Sequence, residues 1–178
     1  MISNISALLT KSAFAATAMM VLGIMPTATA EKYASIVVDL ERDEVLHARH
    51  ADEPRYPASL TKVMTLYMLF DAMKAGEVRL HEQLPVSRTA ASQPPSSLRL
   101  RAGSTITTKQ AINALVTKSA NDVAVVVAER LGGSEARFAT LMTAKAQAMG
   151  MESTTFKNAS GLPNSQQLST ARDMAVLA

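Results

Sequence analysis

Arg55-Tyr56-Pro57-Ala58-Ser59-Leu60-Thr61-Lys62-Val63-Met64-Thr65-Leu66-Tyr67-Met68-Leu69-Phe70 sets a proline and a serine ahead of a largely apolar run that holds a single lysine. Proline has a fixed φ and no amide hydrogen to donate, so Pro57 suits the position at or just before the first turn of a helix. The helix it opens carries Val63, Met64, Leu66, Met68, Leu69, Phe70 and Met73 on nearly every side. A helix that is apolar all round belongs inside a domain. Ser59 is therefore expected at the N-terminus of a buried helix, with Lys62 one turn on and facing the same way. Gly76 is the kind of residue that closes such a helix.

That placement has chemical consequences. A serine hydroxyl becomes a useful nucleophile when a neighbour takes its proton. An ammonium moved into apolar surroundings loses hydration, its pKa falls, and the neutral amine becomes accessible near pH 7. Ser59 and Lys62 thus have the spacing of a nucleophile and its base, and the free amides of a helix N-terminus could hold a developing oxyanion. The plain structural alternative is a serine N-cap with a lysine snorkelling to water. Further on, Thr117-Lys118-Ser119-Ala120-Asn121-Asp122 lies between two helices. There the structural alternative is a capping box, Ser119 with Asp122, for an apolar helix over residues 123–131. The chemical reading is a second hydroxyl, Ser119, that relays a proton, beside an amide, Asn121, that fixes a substrate's backbone.

Residues 1–30 read as a secretory signal peptide. Lys11 gives a positive start, residues 13–24 are apolar and uncharged, and Ala28-Thr29-Ala30 is a small-x-small cleavage site before Glu31. The apolar core is shorter than the roughly 20 residues a membrane span requires. Residues 31–178 are enough for one domain and too few for two. There is no cysteine, hence no disulfide. A net charge of +3 without a basic tract, and no tryptophan, argue against a nucleic-acid partner. Residues 33–40 and 45–48 alternate like two strands of a hairpin around a polar turn. His47, His50 and His81 lack the spacing of a metal site and read as surface groups. Residues 77–101 read as loops with a short strand near 84–87. Thr107 or Thr108 caps a helix over 109–116, and Ser134 caps another over 135–149. Residues 158–163 form a turn-rich loop. Thr170 and Asp173 form a capping box for a last helix.

The segments Pro57-Ala58-Ser59-Leu60-Thr61-Lys62, Thr117-Lys118-Ser119-Ala120-Asn121-Asp122 and Asn158-Ala159-Ser160-Gly161-Leu162 resemble the D-alanyl-D-alanine carboxypeptidases, the low-molecular-mass penicillin-binding proteins. The likeness runs from about Tyr33 to the end of the sequence. It implies an α+β fold like that of the serine β-lactamases and penicillin-binding proteins, an antiparallel sheet packed against a helical lobe. It also implies that Ser59 is the acylated nucleophile, Lys62 its general base, Ser119 a proton relay and Asn121 a substrate-binding residue. The family removes the terminal D-alanine of peptidoglycan stem peptides in the cell envelope, and β-lactam antibiotics trap its acyl-enzyme as inhibitors. No metal or organic cofactor is implied.

The family's third motif, Lys-Thr-Gly, occurs nowhere in the sequence. The resemblance therefore implies that residues 31–178 are the N-terminal portion of a serine D,D-peptidase (transpeptidase-like) domain, incomplete at the C-terminus. Its sheet would be short of strands, and its acylation would be feeble for want of one oxyanion donor. Any membrane association would run through a C-terminal segment absent from the sequence. Two alternatives stand beside the carboxypeptidase: a D,D-endopeptidase of the same family, and a catalytically dead remnant. A class A β-lactamase fits less well, because Ser119-Ala120-Asn121 replaces the usual Ser-Asp-Asn and no Glu-x-x-x-Asn follows.

Overall fold

The structure, a computed structural model, describes residues 33–178. The signal peptide read over residues 1–30 lies outside them. The described residues begin with the expected hairpin: β1 (Ser35–Asp39) pairs antiparallel with β2 (Glu44–Arg49), Ser35 opposite Arg49 and Asp39 opposite Glu44, with a bulge between Val37 and Val38. The Asp39 carboxylate accepts from the Glu41 and Arg42 amides, which folds the turn. A 3-10 turn (Ala58–Leu60) leads into α1 (Thr61–Lys74), which ends at Ala75 and Gly76 as expected.

Residues 77–107 hold more order than their sequence suggests. β3 (Gln83–Pro85) pairs with β4 (Thr105–Thr107), and α2 (Arg88–Ala91) starts where the Ser87 hydroxyl accepts from the Ala90 amide. These pieces of three or four residues are too short for a hydrophobic period to show. Thr107 caps α3 (Thr108–Lys118) in a full capping box with Gln110. α4 (Asn121–Gly132) and α5 (Glu135–Ala148) follow, the latter capped by Ser134 as expected. α6 (Ala171–Leu177) is capped by Thr170, but the predicted box is only half made. The Asp173 carboxylate turns away to accept from the Ser153 amide and the Thr154 hydroxyl.

The helix at the centre is α4, not α1. Every residue from Asn121 to Ala128 is buried, with Val123, Ala124, Val125, Val127 and Ala128 wholly so. Its small valine and alanine side chains let α1, α2, α3, α5 and β3 all approach it. On α1, by contrast, Met64 and Leu69 are wholly buried while Val63 and Phe70 face outward, Phe70 at 48% exposure. The apolar run was correctly read as a helix, but burial on a second side needs a neighbour there. The β1–β2 hairpin packs on α6 instead, and β2 is exposed along its length. Between hairpin, α6 and the residue 55–63 segment lies an open apolar cleft of ≈ 580 Å3.

The segment leading to Ser59 is anchored from the far end of the chain. Arg55 and Ser169 exchange backbone hydrogen bonds, and Arg172 of α6 holds the Asp52 carboxylate at both oxygens (2.6 and 3.0 Å). This pair is solvent-exposed, so its part is to fix direction more than to stabilise.

Candidate active site

Ser59 sits in the middle of the 3-10 turn, exposed, immediately before α1. Its hydroxyl caps nothing: neither this turn nor α1 has a side-chain cap, so the N-cap reading of Ser59 is wrong. The turn is bent ahead of it by Ala58, which takes the left-handed conformation (φ 47°). That conformation costs a non-glycine residue about 1–2 kcal/mol, so it persists only because the surroundings enforce it.

Lys62 does not snorkel. It is 3% exposed, and its Nζ donates to the Ser160 carbonyl at 2.6 Å. Burial holds its pKa below the ordinary lysine value, and among the described residues no carboxylate is paired with it to reverse that. Three residues on, the buried Thr65 hydroxyl donates to the Ala159 carbonyl at 2.8 Å. Positions i and i+3 share a helix face, so α1 offers two donors in a row to two consecutive carbonyls of one loop. Thr65 was missed by the sequence reading, although its spacing from Lys62 carried the signal.

The loop that receives them is shaped by its own residues. The Asn158 carboxamide oxygen accepts from the Gly161 amide (2.7 Å) and the Ser160 amide (3.2 Å), a turn that asparagine makes readily. Its nitrogen donates to the Leu162 carbonyl. Gly161 takes φ +84°, and a Cβ there would lie 1.8 Å from the Ala58 carbonyl oxygen. Only glycine lets the loop lie this close against the backbone beside Ser59. On the outer side the Glu135 carboxylate accepts from the Ala159 amide at 3.1 Å. A cleft of ≈ 440 Å3 opens between residues 56–58 and 161–167; Ser59, Lys62, Ser119 and Asn121 do not line it.

The second motif lies at the α3–α4 junction. Ser119 ends α3 in the left-handed conformation (φ 53°, ψ 44°), and α4 is preceded by Ala120 without a side-chain cap. The expected Ser119–Asp122 capping box therefore does not form. The Asp122 carboxylate instead accepts from the Leu98, Leu100 and Val123 amides. Asn121 donates through Nδ2 to the Pro94 carbonyl (2.9 Å) and through its amide to Ser96 (2.7 Å), so the 94–100 loop is strapped onto the motif. Among the described residues neither the Ser119 hydroxyl nor the Asn121 Oδ1 makes a hydrogen bond, which leaves a hydroxyl and a carboxamide oxygen unengaged. α1 packs on both α3 and α4, bringing the elements of the two motifs together. No hydrogen bond joins Ser119 or Asn121 to Ser59 or Lys62, or Ser59 to Lys62, among the described residues. The described residues also hold no cluster of metal-ligating side chains.

Comparison with known proteins gives one family. The family described as D-alanyl-D-alanine carboxypeptidase matches residues 23–178. The D-alanyl-D-alanine carboxypeptidase DacF of Bacillus subtilis is 32% identical over 148 residues, 83% of this chain and 38% of its own. Among solved structures, the D-alanyl-D-alanine carboxypeptidase DacD from Francisella tularensis superposes with a TM-score of 0.79 at 35% identity, over 81% of this chain and 35% of that one. Penicillin-binding protein D2 from Listeria monocytogenes, solved with cefotaxime bound, gives 0.70 at 33% identity, over 81% of this chain and 59% of that one. The chain spans 38% to 45% of the length of the curated relatives it matches.

Proposed function

The chain belongs to the D-alanyl-D-alanine carboxypeptidase family, and on that premise we propose that it carries the acylating half of a serine D,D-carboxypeptidase acting on peptidoglycan stem peptides. The observation that carries the reading is the pairing of an exposed Ser59 with a Lys62 buried one turn away, seated on a carbonyl and stripped of water. In the neutral form Lys62 accepts the Ser59 proton as Oγ attacks the carbonyl carbon between the two D-alanines. The tetrahedral centre collapses, the C–N bond breaks, and the departing D-alanine amine takes a proton through Ser119. Water then hydrolyses the acyl-Ser59 ester. Asn121 offers its free Oδ1 to the substrate's amide hydrogen. A β-lactam would enter the same path and stay as the ester; a similar penicillin-binding protein solved with cefotaxime bound supports β-lactam binding.

The site of action follows from the substrate. We read the protein as exported to the cell envelope, the periplasm where the cell has one, with Glu31 as the first residue of the mature chain. N-terminal sequencing of secreted material checks this, and a product that still begins at Met1 would count against it.

The activity is tested by incubating the chain with a peptide ending in D-Ala-D-Ala and measuring free D-alanine. Slow release is expected from the native chain, in keeping with feeble acylation, and none from Ser59→Ala. Asn121→Ala is expected to retain more activity than Ser59→Ala, because positioning is shared among several contacts. A cross-linked muropeptide run in parallel separates the two peptidase readings: cleavage there with no D-alanine release would replace the carboxypeptidase by the endopeptidase.

A further inference from the structure

Glu135 has no part in the chemistry above, yet its surroundings are unusual for a carboxylate. As the first residue of α5 it could have stayed at the helix N-terminus in water, where a negative charge is favoured. It is instead half-buried, and burial pushes its carboxyl above the ordinary carboxylate range. The Glu129 carboxylate of α4, itself held by the Ser87 hydroxyl at 2.8 Å, pushes the same way. The Ala159 amide pulls in the other direction, and no cation is paired with Glu135 among the described residues. Among the described residues its carboxylate makes one hydrogen bond, to that amide, 24 residues along the chain.

That amide opens the short run of backbone on which the base is seated, two peptide units before the Ser160 carbonyl. Ala159 gives its N–H to Glu135 of α5 and its carbonyl to Thr65 of α1. The next carbonyl, Ser160, takes the Lys62 ammonium, and the residue after it, Gly161, lies against the Ala58 carbonyl. Ala159 and Ser160 are 0% and 1% exposed, so no water stands in for a lost partner. The loop is clamped between two helices, and among the described residues Glu135 is the only side-chain anchor of the Ala159 amide. We propose that Glu135 is a positioning residue, which fixes the Asn158–Ala159 peptide through the Ala159 amide and, through the backbone that runs on to Ser160, sets the place of Lys62 beside Ser59.

The inference rests on Lys62 being the base, and its test keeps the two apart. Glu135→Gln, Glu135→Asp and Glu135→Ala are compared in the full chain. Three quantities are read: the limiting rate of Ser59 acylation by a penicillin, the Lys62 titration by NMR of its ε-carbon, and the melting temperature. A glutamine oxygen still accepts from Ala159, so Glu135→Gln is expected to acylate within about threefold of the native chain, since a neutral acceptor keeps the geometry and about half the strength of such a bond. Aspartate keeps the charge but falls one methylene short. Glu135→Asp and Glu135→Ala are expected to slow acylation by about 100-fold, as a misplacement near 1 Å does. In both, the Lys62 titration should move up towards the ordinary value as water reaches the amine. A purely structural Glu135 would lower the melting temperature and leave the rate and the Lys62 titration of the folded protein unmoved. That result overturns the proposal. So does Glu135→Gln behaving like Glu135→Ala, which would make charge the operative property. Should Glu135→Ala fail to fold, Glu135→Asp decides. A native chain with no Ser59 adduct counts against the catalytic reading instead, and the Lys62 titrations then decide this inference alone.

Discussion

Lys62→Met should fold and should lose acylation of Ser59 by about 100- to 10,000-fold, the usual contribution of a positioned general base. Methionine fills nearly the volume of the lysine stem without a charge to desolvate, which is why it is preferred to alanine as the test. Its cost is the Ser160 carbonyl left without its donor, about 1–3 kcal/mol for a buried acceptor. The change also removes a pH dependence whose sign is fixed by the structure. Burial places the folded-state pKa of Lys62 below the ordinary 10.5. Between those two values the unfolded chain binds the proton that the native site has shed, so stability rises with pH across that window. Below the folded-state pKa the full penalty of burying the ammonium is present. Denaturant melts of the native chain should show that rise at alkaline pH, and melts of Lys62→Met should lack Lys62's share of it. Acylation within tenfold of native in a folded Lys62→Met would remove Lys62 from the chemistry.

Gly161→Ala should be almost as damaging to the reaction, although no reacting atom is changed. The added Cβ would sit 1.8 Å from the Ala58 carbonyl oxygen and 2.4 Å from its carbon, both main-chain atoms. Neither can rotate aside, so the loop and the Ser59 turn must separate. The positive φ adds about 1–2 kcal/mol of strain for alanine, and overpacking adds about 1–3 kcal/mol more. A separation near 1 Å carries the Ser160 carbonyl and Lys62 with it, and acylation is expected to fall about 100-fold. Gly76→Ala is the control. It has the same kind of backbone (φ +77°) at the far end of α1, with nothing within 4 Å of the new Cβ. It should lose stability and keep its acylation rate. Equal acylation by both variants would show that the contact between the two segments is not what holds the site.

What the sequence made legible was local. Ser59 and Lys62 could be paired because three residues is close to one helical turn, and Pro57 and Gly76 mark where the helix lies. The β1–β2 hairpin and α5 were legible from alternation and from the Ser134 cap. The rest depends on partners that no local pattern names. The carbonyl that seats Lys62 lies 98 residues away, and Glu135 reaches its amide across 24. Hydrophobicity marked α1 as the most apolar helix, but centrality went to α4, whose short side chains admit neighbours from several directions. The Ser119–Asp122 spacing fitted a capping box well. It failed because Ser119 takes a left-handed conformation, and because Asp122 is drawn to the amides of a loop some two dozen residues upstream. The Lys62–Thr65 pair could have been found from spacing alone, since both polar groups sit on one face of an otherwise apolar helix.

The central claim is that Ser59 is the atom-donating nucleophile of an acylating site, and one measurement addresses it without intermediaries. The chain is incubated with a penicillin for long enough to capture a slow reaction, digested, and the adduct is located by tandem mass spectrometry. The account predicts a single covalent adduct on the peptide containing Ser59, and none in Ser59→Ala. Because the Ser59 hydroxyl caps no helix, that variant should melt close to the native temperature, so loss of the adduct could not be put down to unfolding. An adduct on another residue, or labelling that survives Ser59→Ala, would contradict it.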